Sequence, residues 1–163
     1  LSTQKGLDLA LPAIAALREK GLKFRWYIIG VGPEEESLKE QARSLGIEQD
    51  VCFLGEQANP YPFLRACEVY LQPSRFEGKS IAVDEAMVLC KPILLTDFST
   101  AADQVTSGKN GLIVPMTPEG IAEGLEKLLT DSALRKEFHN ALAAEDFTNE
   151  NEIEKVYSLL SIE

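Results

Sequence analysis

One histidine, His139, stands in a chain of 163 residues, and with three scattered cysteines it does not assemble a zinc-type ligand set. Cys52, Cys67 and Cys90 are odd in number, far apart and set among apolar neighbours, which excludes a disulfide framework and reads as buried, reduced thiols. No Asp-x-Asp pair occurs, so the sequence carries no familiar cue for a divalent cation. No apolar run approaches the ~20 residues that span a bilayer, and no secretory leader pattern is visible, so the expected location is cytoplasmic. A basic stripe is also missing from a chain of net charge −10, which argues against nucleic acid or an anionic bilayer as a partner. What remains is a 45% hydrophobic chain without repeats, low-complexity segments or linkers, large enough for one real core: a single domain over residues 1–163.

Its elements alternate. Residues 5–20 carry Leu7, Leu9, Ala10, Leu11, Ile14 and Leu17 at helical spacing and close on Gly21. A strand over 24–29 is followed by a helix over 34–45, acidic in its first turn and stopped by Gly46. Short, continuously apolar strands are expected at 51–54, 69–72, 92–95 and 111–114, as in a parallel central sheet. Helical pieces fall at 61–66, 80–89 and 101–105, then at 118–129 with Thr117 as cap and Pro118 at the first position, at 132–144 and at 149–160. The last of these places Ile153, Val156, Tyr157 and Leu160 on one face, spaced to bury against something. The fold class is therefore α/β, a Rossmann-like doubly wound parallel sheet with its ligand crevice at the carboxyl ends of the strands.

The most informative stretch runs from Ser74 to Met87, with Glu77 and Glu85 separated by seven residues. A strand stopped by Pro73-Ser74 leads into it, and a helix opens near Ser80 with Gly78 allowing close backbone approach. Free amides at a helix start attract anions, and a carboxylate pair split across that start suits a ligand bearing both hydroxyls and phosphates. The helix reads as apolar on nearly every face through Ile81, Ala82, Val83, Ala86, Met87, Val88 and Leu89, hence buried. Asp84 neighbours Glu85 but points roughly 100° away around the helix. Glu85 also has a plain structural reading, an ion pair with Arg75.

The Glu-x7-Glu spacing in this context resembles the signature of retaining glycosyltransferases of family 4, a large GT-B group that uses sugar nucleotides. Leu1-Ser2-Thr3-Gln4-Lys5-Gly6, the turn Ile28-Ile29-Gly30-Val31-Gly32-Pro33-Glu34, the strand Val51-Cys52-Phe53-Leu54-Gly55 and Asn110-Gly111-Leu112-Ile113-Val114 resemble further segments of that family's C-terminal domain, in its order. The resemblance implies one half of a GT-B fold binding a nucleotide-sugar, a UDP-sugar rather than a GDP-sugar, without a metal or other cofactor. It casts Glu77 on the donor sugar and Lys5 on the pyrophosphate. It casts Glu85 on the ribose, with Gly78, Lys79, Ser80, Ile81, Gly30, Gly32, Gly55 and Gln57 around the nucleotide. The Glu-Gly-Lys-Ser variant is similar to bacterial polysaccharide-building members.

Departures from the pattern shape the remaining expectations. Ser80 replaces a common glycine and adds a hydroxyl able to donate to a diphosphate, and Cys90 stands at a usual glycine turn. The family's first strand, with its Gly-Arg end, and the acceptor-holding N-terminal domain are not in the sequence. The reading is thus a C-terminal domain that binds nucleotide weakly without transferring sugar. A sheet edge or the last helix would be open to a second copy, and membrane association would come through the missing domain. Two rivals carry different chemistry. Gly78-Lys79-Ser80 between strand and helix resembles the end of a P-loop, but Pro73 stands where the motif needs glycine, and Glu77 would set a negative charge in the phosphate cradle. A non-catalytic α/β interaction module is the other.

Overall fold

The structure, a computed structural model, describes residues 1–145 and 147. Within them a 3-10 turn at Thr3–Lys5 precedes α1 (Leu7–Glu19), β1 (Trp26–Ile28), α2 (Glu35–Ser44), β2 (Val51–Phe53), α3 (Tyr61–Ala66) and β3 (Tyr70–Gln72). There follow α4 (Ile81–Val88), β4 (Ile93–Thr96), α5 (Ala101–Gln104), β5 (Gly111–Val114), α6 (Pro118–Thr130) and α7 (Ser132–Ala143). The expected helix over 149–160 lies outside the described residues.

All strand pairing is parallel, in two pieces: β1 beside β2, and β3-β4-β5 with β4 in the middle. The strands alternate their apolar side chains between two cores, which is the physical meaning of a doubly wound sheet. On β4, Leu94 joins a cluster with Leu7, Leu11, Ile14 and Leu17 of α1 and Ile121, Leu125 and Leu128 of α6. Ile93 and Leu95 face the opposite cluster with Val83, Ala86 and Met87 of α4, Ala101 of α5 and Leu142 of α7. β1 and β2 share the first cluster through Ile28 and Val51, so one core underlies both ladder pieces.

Local chemistry sets several boundaries. Thr117 caps α6 by accepting the Gly120 N–H on its side-chain oxygen at 3.1 Å, with Pro118 at the first helical position where no N–H is needed. Past the end of α4, Cys90 takes φ 52 and donates its N–H to Met87 O, while Lys91 N–H reaches Ala86 O, a Schellman ending made without glycine. The cysteines are free but half-buried rather than buried: Cys67 and Cys90 follow the ends of α3 and α4, and Cys52 lies in the middle of the short strand β2. The strands are shorter than the apolar runs suggest, since residues such as Phe24 and Leu54 leave the ladder at its ends while still packing or bonding nearby.

Candidate active site

The loop from β3 to α4 is held from every side. Thr96 Oγ1 donates to Ser74 O at 2.6 Å, and Thr100 Oγ1 donates to the Glu77 and Gly78 carbonyls at 2.8 and 3.0 Å. Gln4 Nε2 reaches Phe76 O at 3.1 Å, and Arg75 N–H reaches Gln4 O at 2.8 Å. Arg75 also grips Asp8 of α1 and makes no ion pair with Glu85. Gly6 makes this crossing possible: it has φ 62, and a Cβ there would sit 1.9 Å from Pro73 O.

Lys5 and Glu77 are thereby brought together. Lys5 Nζ donates to Glu77 Oε1 at 2.7 Å, and Ser74 Oγ donates to the same oxygen at 2.7 Å. The Glu77 side chain is 10% exposed, whereas that of Lys5 is 47% exposed, so the ammonium faces outward from the pair. A lysine that ends a short turn before the start of α1 is unfavourably placed for that helix dipole, and the Glu77 carboxylate offsets it.

At the start of α4 the amides divide. The Ser80 N–H is already taken by Gln104 Oε1 at 2.9 Å, Gln104 Nε2 returns to Ser80 O at 2.8 Å, and Ser80 Oγ donates to Gln72 Oε1 at 3.1 Å. Ser80 is accordingly buried, with its hydroxyl turned inward rather than toward the place expected for a diphosphate, because two buried glutamines need its polar atoms. α4 has no side-chain cap, and the Ile81 and Ala82 N–H groups meet no acceptor among the described residues, leaving them available to an anion. Gly78 has open space around its Cα, while Lys79 is exposed and reaches Asp84 at 3.3 Å. In a P-loop, Lys79 and Ser80 would turn onto phosphate; here they turn to Asp84, Gln72 and Gln104.

α4 is not buried all round. Ile81 is 74% and Val88 56% exposed, on the face that also carries Glu85, because Val83, Ala86 and Met87 alone suffice to pack it on the sheet. Glu85 receives the Tyr61 hydroxyl at 2.9 Å. Burial pushes the Tyr70 phenol well above its ordinary range, and the charges of Glu77 and then Glu85 push it the same way. The Tyr70 hydroxyl, from the first residue of β3, donates to Gln72 Oε1 at 2.8 Å.

The remaining predicted residues line the carboxyl ends of β1 and β2. Gly30 N–H donates to Gly55 O at 2.8 Å, which joins the two strand ends, and Glu35 N–H donates to Gly32 O at 3.2 Å as α2 begins. Gln57 folds back to give Leu54 O its side-chain amide at 2.7 Å. An open groove of about 530 Å³ along α3 is lined by Asn59, Tyr61, Pro62, Arg65 and Ala66. Among the described residues, no group of three or more His, Cys, Asp or Glu side chains is placed to hold a metal, and no helix is long and apolar enough to cross a membrane.

The family description for glycosyl transferases group 1 matches residues 1–144. The chain belongs to the group 1 glycosyltransferase family. This group 1 chain is 30% identical over 138 residues to the N-acetylgalactosamine-N,N'-diacetylbacillosaminyl-diphospho-undecaprenol 4-alpha-N-acetylgalactosaminyltransferase of Campylobacter jejuni, covering 83% of the chain and 38% of that protein. It is also 30% identical over 133 residues to the lipopolysaccharide core biosynthesis glycosyltransferase LpsE of Rhizobium meliloti, covering 81% of the chain and 38% of LpsE. Its fold is that of Anabaena HepE solved in complex with UDP-glucose, with TM-score 0.84, 24% identity, and coverage of 99% of the chain and 46% of HepE. The chain spans less than half the length of each of these proteins.

Sequence reasoning about this glycosyltransferase missed the residues that hold the others in place. Ser74, Thr100, Gln104, Asp8 and Tyr61 act through contacts 3 to 67 positions away, and only Ser74, three residues before Glu77 at a strand end, had a local cue.

Proposed function

We propose that the chain is the donor-binding half of a retaining glycosyltransferase of the family 4 type, which holds a nucleotide-sugar for transfer to a glycan or lipid-linked acceptor in bacterial polysaccharide biosynthesis. The observation that carries this reading is the Lys5–Glu77 pair at 2.7 Å beside the unpartnered amides of Ile81 and Ala82. A cation and free N–H groups suit a diphosphate, and the carboxylate behind them suits sugar hydroxyls. When the donor enters, Lys5 exchanges Glu77 for phosphate oxygens and Glu77 turns to the sugar. As the glycosidic bond breaks, charge builds on the departing diphosphate, and Lys5 with the α4 amides stabilises it in place. Glu85 takes the ribose, and the base rests against backbone near Gly55 and Gln57. Donor binding needs no metal in this reading, and UDP-sugars are preferred to GDP-sugars. A second domain, facing these strand ends, carries the acceptor.

The test is calorimetric titration of the chain with UDP, GDP, ADP and UDP-glucose in the absence of magnesium, for parent and Glu85→Ala. Tighter binding of the uridine compounds, weakened at least fivefold in the variant, is the expected result. A control titration with ATP is run with and without magnesium, and binding only of ATP, only with magnesium, would sink the reading.

A further inference from the structure

Tyr61 opens α3 on the loop that follows β2, and its hydroxyl crosses to α4 to donate to Glu85 Oε1 at 2.9 Å. Its backbone is fixed locally: Asn59 Oδ1 accepts the Tyr61 N–H at 3.1 Å, and prolines stand on either side at positions 60 and 62. Glu85 has little else to hold it. Among the described residues it makes no ion pair and no second hydrogen bond. The side chains one turn away on its face, Ile81 and Val88, are aliphatic and exposed. A glutamate left free in this setting samples several rotamers, and that freedom is lost when a ligand orders it.

We propose that Tyr61 is a positioning residue for nucleotide recognition: it fixes the Glu85 carboxylate through Oε1, so that Oε2 is presented to the ribose hydroxyls of the donor. The inference rests on the assignment of Glu85 to the ribose in the preceding subsection. A carboxylate accepts on both oxygens, so one phenol donor leaves capacity for a vicinal diol. The hydrogen bond to Glu85, and after it the carboxylate's charge, raise the Tyr61 phenol above its usual range, so it stays a donor. The ring is 48% exposed and lines the open groove with Arg65, so Tyr61→Phe removes one oxygen without leaving a cavity or a buried unpaired group.

The experiment compares UDP with 2',3'-dideoxy-UDP by calorimetry on parent, Tyr61→Phe, Glu85→Ala and the double variant. Tyr61→Phe is expected to weaken UDP about fivefold, leave dideoxy-UDP unchanged and add nothing in the Glu85→Ala background. Restoring a donor with Tyr61→His is expected to recover part of the loss. If Glu85→Ala weakens UDP while Tyr61→Phe is silent, or weakens both ligands equally, the positioning role is wrong and the ribose assignment stands. If the parent binds UDP and dideoxy-UDP alike and Glu85→Ala is silent, the ribose assignment itself fails and takes this inference with it.

Discussion

Arg75 holds both oxygens of the Asp8 carboxylate at 2.7 Å, and the same NH1 reaches Thr3 O at 2.7 Å. One guanidinium thereby ties the segment carrying Lys5, the first turn of α1 and the loop carrying Glu77 into a single unit. The hydrogen bonds from Arg75 lower the Asp8 carboxyl below its ordinary 3.8, against an opposing effect of burial. A carboxyl whose folded pKa is lowered stabilises the fold above its unfolded pKa, and that contribution is lost as pH falls through the folded value. Asp8→Asn should therefore cost about 1 kcal/mol at neutral pH, near the upper end for a partly exposed pair because it is bidentate. The difference from the parent should shrink as pH falls below the ordinary carboxylate value of 3.8 and vanish once the folded carboxyl is protonated. Urea midpoints measured across that range check it, and a gap independent of pH would show that the carboxylate charge is not what Arg75 uses.

Lys5 is assigned to phosphate, not to nucleoside. Lys5→Ala should weaken UDP about tenfold, the scale of one charge-assisted hydrogen bond, and leave uridine unaffected. Titration of the two ligands side by side decides it. An equal loss for both would place Lys5 in the framework of the site instead of at its diphosphate.

Gly6 and Gly21 both have positive φ, 62 and 82, but only Gly6 is enclosed. Alanine at Gly21 meets nothing within 4 Å, so its cost is conformational, about 1 kcal/mol. Alanine at Gly6 adds a collision with Pro73 O and should cost at least about 3 kcal/mol, because two backbone segments must separate. Chemical denaturation of the two variants distinguishes them, and equal costs would contradict the close approach.

Cys90 supplies the αL residue of a Schellman ending, a conformation that costs an L-residue about 1–2 kcal/mol and glycine nothing. Cys90→Gly should raise stability by about 0.5–1 kcal/mol after glycine's own entropy is subtracted. A melting temperature that stays level or falls would mean that the thiol's packing against the second core outweighs the backbone relief.

The sequence made the order and kind of every described strand and α-helix legible, though not the 3-10 turn at Thr3–Lys5, because hydrophobic period, glycine stops and the Thr117-Pro118 start are local signals. Glu77 and Glu85 stood out because carboxylates around a helix start break the apolar pattern there, whereas Lys5 was singled out only through the family resemblance of its segment. What stayed hidden was partnership. Ser80 looked like a donor to a ligand, yet the glutamines that claim it come from β3 and α5, elements distant in the chain. The exposed side of α4 was equally invisible, because Ile81 and Val88 are as apolar as the residues that do pack, and composition alone does not say which face meets the sheet. Tyr61 read only as the start of a short helix, because its hydroxyl finds its partner 24 positions away.

The two ladder pieces share a core but exchange no strand hydrogen bonds, and the segment with Leu1, Gln4 and Lys5 lies across their junction, bonded to Glu34 on one side and Arg75 on the other. Side-chain packing resists sliding far less directionally than a ladder does. A small shear between the halves would register first as a change in the Lys5–Glu77 separation, which makes this ion pair a strain gauge for both halves.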